Sequence, residues 1–227
     1  MSTTKVVAIM RDCMQVFASG VQTEQATFLQ SAMRSDVQYG DLVGCDSILQ
    51  HWACLLRYFN GAVPMEQFEF SVKLLEEDIT VGLVRTMLTV RLTHRNLAAI
   101  FPHALTDTRV RLKLLQGPLL RLPLTVLFEF DEQGKISCYD PYIDFVNGLY
   151  AVLRSYEDVA NVLNSGNIDT SGRIRGYQPS MATSGSGQSR HQLVSSCPNS
   201  SPDKLSVAFI LSASEGTRYP GTDEQAA

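Results

Sequence analysis

The chain has 227 residues with 44% hydrophobic and 19% charged side chains, the balance of an ordinary globular protein with material for a sizeable core. Its net charge of −4 and pI near 5.6 exclude a strongly basic nucleic-acid-binding surface over the whole chain. Up to Asn164 there are 14 Lys and Arg against 18 Asp and Glu, and beyond it 5 of each, so the first part is mildly acidic and the rest neutral.

The five cysteines (Cys13, Cys45, Cys54, Cys138, Cys197) are odd in number and scattered, with no CxxC and no Cys/His ligand spacing. The expectation is reduced thiols in an intracellular protein, nuclear or cytoplasmic. The N-terminal apolar run in "MSTTKVVAIMRDCM" is too short and interrupted for a signal peptide, and no apolar stretch is long enough to span a membrane.

In chain order, Val7, Met10, Met14 and Phe17 have helical spacing, and Thr23 is placed to cap a second helix carrying Phe28, Leu29, Ala32 and Met33. "DVQYGDLV" reads as a short strand and turn. Asp46 then caps a third helix with Ile48, Trp52, Leu55 and Phe59 on one face and Gly61 at its end.

Strands follow. Phe68, Phe70, Val72 and Leu74 alternate with polar residues, as do Val84, Leu88, Val90 and Leu92 with Arg85, Thr89, Arg91 and Thr93. The segment 107–116 is open between helix and strand. "LPLTVLFEFDEQGKISCYD" reads as a hairpin whose first strand carries an apolar wall, Leu122, Leu124, Val126, Phe128 and Phe130, with Gly134 in the turn. Residues 142–153 read as helical, and Ser155 to Asp158 resembles a capping box opening a last helix.

Helices first and one-sided strands after them predict an α+β fold, N-terminal helices packed on a curved antiparallel sheet with C-terminal helices behind, covering residues 1–164. Residues 165–227 are rich in Ser, Gly, Thr and Pro, a composition that predicts a mostly disordered tail, with one apolar island from Leu205 to Leu211.

The segments "MQVFASGV", "FLQSAMRSDVQY", "ILQHWACLLRYF", "NLAAIFPHAL", "FEFDEQGKI", "DFVNGL" and "SYEDVANVL", in this order, resemble the C-terminal domain of oomycete basic leucine zipper transcription factors. The resemblance runs from Val6 to Gly166 and implies a nuclear-transport-factor-2-like, or cystatin-like, cone. The chain departs from that family in one respect. Only Lys5 and Arg11 are basic in its first thirty residues and no leucine heptads follow, so direct DNA reading by this chain is not expected. The expectation is a non-catalytic regulatory or interaction domain, self-associating or pairing with zipper-bearing relatives. The alternative is a small-molecule-binding cone or an isomerase- or dehydratase-like enzyme.

For a ligand in the cone mouth the candidate residues are Tyr39, Trp52, His103 and Asp144. An isomerase would use an Asp base and a Tyr facing the oxyanion, roles open to Asp144 and Tyr39. Each has a plainer reading: Asp144 as a helix cap, Tyr39 as a rim or core aromatic, His103 as a turn residue. His94 shares the parity of Val90 and Leu92 and is placed at the inner face or strand end; His51 is placed in solvent. No nucleophile motif, phosphate loop, metal-ligand set or cofactor motif occurs, so no catalytic residue, metal or cofactor is assigned. Arg85, Arg91 and Arg95 share one strand parity, and Arg85, Met87, Arg91 and Leu127 form the candidate contact surface on the outer sheet face.

Overall fold

A computed structural model describes residues 1–59, 63–75 and 79–175. These lie in one compact unit, Met1–Pro179; the second unit, Ser180–Ala227, falls outside the described residues, as do the apolar island, Cys197 and Gly61.

Three helices open the chain: α1 (Thr3–Ser19), α2 (Gln22–Ala32) and, after the short strands β1 (Met33–Tyr39) and β2 (Leu42–Val43), α3 (Cys45–Tyr58). Strands β3 (Met65–Leu74) and β4 (Thr80–Val90) follow. Then come α4 (His94–Ile100), a 3-10 turn (Pro102–Leu105) and α5 (Thr108–Gln116), which resolves the segment left open as a helix. Strands β5 (Leu120–Phe130) and β6 (Ile136–Ile143) form the expected hairpin, and α6 (Phe145–Leu153) and α7 (Tyr156–Asn164) close the run.

The fold is α+β, with a curved six-stranded sheet in the order β2-β1-β6-β5-β4-β3. The sheet is mixed rather than wholly antiparallel. β1 returns from α2 alongside β6 and runs parallel to it, while every other neighbouring pair is antiparallel. Leu122, Leu124, Val126, Phe128 and Phe130 are at most 1% exposed and face the helices, as the alternation predicts. Helix α1 sits close enough that Met10 Sδ would lie 2.3 Å from a Cβ at Gly82. Gly148 lets α6 approach Leu122 in the same way. Glycine on these facing elements is what allows helix and sheet to touch.

Local chemistry explains the helix boundaries. Ser2 caps α1, whose end is turned by Gly20 at φ 72°. Thr93 and Asn96 form a reciprocal capping box on α4, and the buried Asn96 amide also donates to the Arg91 carbonyl at 3.1 Å. Asp107 Oδ1 caps α5 through the Arg109 and Val110 amides.

Several boundary expectations are corrected. Thr23 lies inside α2, which starts from Val21 without a side-chain cap; Met33 opens β1 instead of ending a helix. Asp46 lies in the first turn of α3, behind Gly44 at φ 95°, where its charge favours the helix N-terminus without capping it. Strand β4 stops at Val90 because the Thr93 box starts a helix there. Arg91 therefore lies beyond the strand, and His94 and Arg95 are exposed residues of α4. Ser155 caps α7, but Asp158 gives its carboxylate to Arg109 as a bidentate pair, 2.6 and 2.8 Å, in place of the reciprocal half of a box.

The packed chain also continues past Asn164. Asn167 donates its backbone N–H to the Ile100 carbonyl and its side-chain amide to the Ala99 carbonyl, both at 2.7 Å, and Ile143 N–H donates to Ser171. An isolated bridge joins Ile168 and Ile174. This strap, residues 167–175, is tied to two parts of the domain despite its polar composition.

Candidate functional site

The strap borders a cavity of mixed polar and apolar lining between β1 and α3. Strand β1 ends at Tyr39, and Gly40 at φ 58° turns the chain so that Asp41 meets Arg173 of the strap, Nη1 to Oδ1 2.7 Å. Asp169 Oδ2 accepts from Arg173 Nε at 2.6 Å, and its Oδ1 accepts the backbone amides of Ser171 and Arg173, both at 2.9 Å. Gly172 at φ 79° makes that turn possible; a Cβ there would sit 2.6 Å from the Ile143 carbonyl oxygen. Arg173 is thus clamped by two carboxylates, with its guanidinium carbon 5.4 Å from the centre of the Tyr39 ring.

Beneath the clamp, α3 contributes Ser47, Gln50, His51 and Cys54 to a cavity of about 250 Å³. Tyr39 is 1% exposed, and its hydroxyl is buried without a hydrogen-bond partner. His51 Nε2 is likewise buried and unpartnered, and the two rings lie 5.6 Å apart. Burial pushes the His51 pKa down to about 4; Arg173 lowers it further and Asp169 partly opposes this, so the ring is neutral at pH 7. Burial also pushes the Tyr39 hydroxyl far up, keeping it protonated. Tyr39 and His51 are thus two neutral residues at the cavity wall, beside charges that already satisfy one another.

The four residues predicted as ligand contacts lie in four different surroundings. Tyr39 is in this cavity. Trp52 is 1% exposed inside the core, stacked on Phe17 at 4.8 Å, and its indole N–H donates to Tyr139 Oη at 3.0 Å. Asp144 caps α6 through the Asn147 amide at 2.9 Å and does not line the cavity of Tyr39, so the Asp–Tyr pair an isomerase would use is not assembled. His103 is exposed in the 3-10 turn, bordering a separate cleft with Asp107 and Asp158. His51, placed in solvent by the sequence reading, is a half-buried residue at the cavity wall, with its Nε2 inaccessible. Helical periodicity alone separates the two faces of α3 poorly there, because Trp52 beside it dominates the apolar pattern. Asp169 and Arg173 were hidden in a stretch read as tail, although "DTSGR" carries the Asp and Gly of a tight turn.

On the outer sheet face, Arg85 and Met87 of β4 are half-buried, and Leu127 pairs across the strands with Leu83. These leucines are 8% and 5% exposed and lie outside the main core cluster. Arg91 is exposed past the strand end. Among the described residues no cluster of three His, Cys, Asp or Glu could hold a metal ion, and no helix is long and apolar enough to cross a membrane.

The described unit is an α+β cone, a sheet whose inner face is filled by helices. Residues 7–58, spanning α1 to α3, match the family model described as the bZIP transcription factor 1 C-terminal domain, the family the sequence resemblance named, over the first part of the 6–166 stretch it covered. No curated protein matches the chain. Solved structures similar to it include a SnoaL-like polyketide cyclase candidate from Jannaschia sp. CCS1 (14% identity, 68% of this chain and 97% of that one, TM-score 0.40). An NTF2-like protein from Anabaena variabilis is 13% identical over 63% of this chain and 92% of its own, TM-score 0.38. LinA is 14% identical over 61% and 85%, TM-score 0.41.

Proposed function

We propose that the chain is a non-catalytic regulatory domain of the kind found behind the zipper of bZIP transcription factors, acting inside the cell by associating with copies of itself or with zipper-bearing relatives. The observation that carries this reading is the family match over residues 7–58, which hold α1, α2 and α3 with β1 and β2 between the second helix and the third. The outer sheet face supplies the contact surface. Leu83 and Leu127 form a small apolar pair apart from the core, with Val81 and Met87 on the same face of β4, Arg85 between Leu83 and Met87, and Asp140 across from Leu127 on β6. An apolar centre with a charged rim is the composition of a specific interface, and charges of both signs on one patch suit a two-fold arrangement in which each copy's cation meets the other's anion.

Sedimentation equilibrium on the purified chain, alone and with a zipper-bearing relative, tests this. Association is expected, and Met87→Glu, which places a charge at the edge of the apolar patch, weakens it by at least roughly tenfold, the scale of burying an unpaired charge in an interface. A chain monomeric under both conditions, or association indifferent to Met87→Glu, overturns the reading.

A further inference from the structure

We infer that the open edge of β3 pairs antiparallel with the same edge of a second copy, in the register that centres the two-fold axis on Ser71 and sets Glu69 of each copy opposite Lys73 of the other. This contact is separate from the outer sheet face and stands whether or not that face associates.

Strand β3 closes one end of the sheet, and among the described residues nothing pairs with its outer side. The strand at the other end, β2, has two residues, short as protected edges usually are, whereas β3 has ten. Leu75 N–H donates to the Ile79 carbonyl at 2.9 Å. The alternation of an antiparallel ladder then turns the backbone bonds of Lys73, Ser71 and Glu69 toward β4 and those of Val72 and Phe70 toward the open side. The N–H and C=O groups of Phe70 and Val72 are thus presented to an arriving strand.

The strand's own sequence selects a second copy as that partner. Registers centred on Phe70 or on Val72 set Glu69 opposite Ser71 or Leu75, whereas the register centred on Ser71 sets it opposite Lys73. The two-fold axis then makes the charge pair at both ends of the contact. Neither Glu69 nor Lys73 has an ion-pair partner among the described residues, and Arg85 of β4 lies across from Glu69 on its other side.

Apolar side chains on the opposite face of the strand give the same register. Phe68 stacks on Phe70 on the side that faces the helices. Helix α1 reaches Phe70, with the Arg11 guanidinium carbon 5.5 Å from its ring centre, but leaves Phe68 38% and Leu74 69% exposed. Pairing centred on Ser71 puts Phe68 of each copy beside Leu74 of the other, so the two uncovered residues shield one another. It also sets Phe70 opposite Val72, where each rung exchanges both its backbone hydrogen bonds. Gln67, at φ 58°, marks the register shift of β3 against β4 and bounds the contact at that end.

The test is sedimentation equilibrium over a concentration series of the full chain, wild type and variants, each repeated with Met87→Glu to remove the outer face. Weak self-association is expected for the wild type, because a single strand pair is a small interface. Glu69→Lys and Lys73→Glu each bring like charges together at both ends of the pairing and should each weaken it by roughly tenfold. Mixed in equal amounts, the two variants should associate with each other about as tightly as the wild type with itself, since every facing pair is again opposite in sign. Val72→Pro removes an N–H that β4 does not use, so it should abolish pairing while the melting midpoint moves little. The inference is overturned if the chain stays monomeric throughout, if neither charge variant weakens association, or if their mixture associates no better than each alone. Binding only to a zipper-bearing relative overturns it too. Association lost with Met87→Glu but indifferent to the edge variants overturns the edge and leaves the outer face standing; the converse leaves the edge and overturns the face.

Discussion

His51 is neutral because it is buried, and that has a measurable cost in acid. Its folded pKa of about 4 lies below the ordinary histidine value of 6.5, so between those two values the unfolded chain binds the proton and the folded chain does not. Stability is full above pH 6.5 and is lost as pH falls toward 4, by at most about 3 kcal/mol if the whole shift is realised. The groups facing the ring are Tyr39 from β1 and Asp169 and Arg173 from the strap, and Arg173 sharpens the effect. Denaturant unfolding at pH 4 to 7 should show this slope, and His51→Gln should flatten it; an unchanged slope in the variant would place the titration elsewhere. Residue identity alone did not reveal this histidine. The core side of α3 was legible from Ile48, Trp52 and Leu55, but whether position 51 faces water or a cavity depends on the strap 120 residues later, which the helical period cannot register.

At the scale of elements, the sheet was the most legible part, because strict alternation in β4 and β5 leaves one choice of inward face. The helix starts were legible only where a side chain caps them, as at Asp144 and Ser155, and were misplaced at α2 and α3, where the preceding backbone supplies no such group. The strap was missed because composition measures apolar content, whereas its attachment uses backbone hydrogen bonds, an Asp-centred turn and one doubly held arginine. The contact between α1 and the sheet yields a sharp prediction. Gly82 lies directly under Met10, so Gly82→Ala would force the methionine aside in a closed core. A loss of about 1 to 3 kcal/mol in unfolding free energy is expected for such overpacking. The double variant Gly82→Ala with Met10→Ala should recover part of it; additivity of the two would deny the contact. Gly172→Ala should act differently. The strained left-handed position and the nearby Ile143 carbonyl should loosen the strap alone, seen as faster amide exchange at Ser171 and Arg173 with the global unfolding midpoint little moved.

For the whole molecule, the mixed topology has a consequence for how the chain comes to be folded. Met33 lies beside Ile136 and Gln38 beside Cys138, in the pairing that joins β1 to the rest of the sheet. The stretch that carries the family match, 7–58, therefore contains three helices and an edge hairpin whose ladder partner is made only after most of the domain has left the ribosome. Until then Val37, Tyr39 and the inner faces of α1 and α3 have nothing to close upon, and closing so long a loop is an entropic barrier that local helix formation does not lower. Residues 7–58 are therefore expected not to fold by themselves. A fragment ending at Phe59 should show partial helix by circular dichroism but no cooperative thermal transition, and a chain ending at Arg175 should melt in one; a cooperative transition in the shorter fragment would contradict this. During synthesis the N-terminal third must wait, half-formed, for its neighbour to arrive.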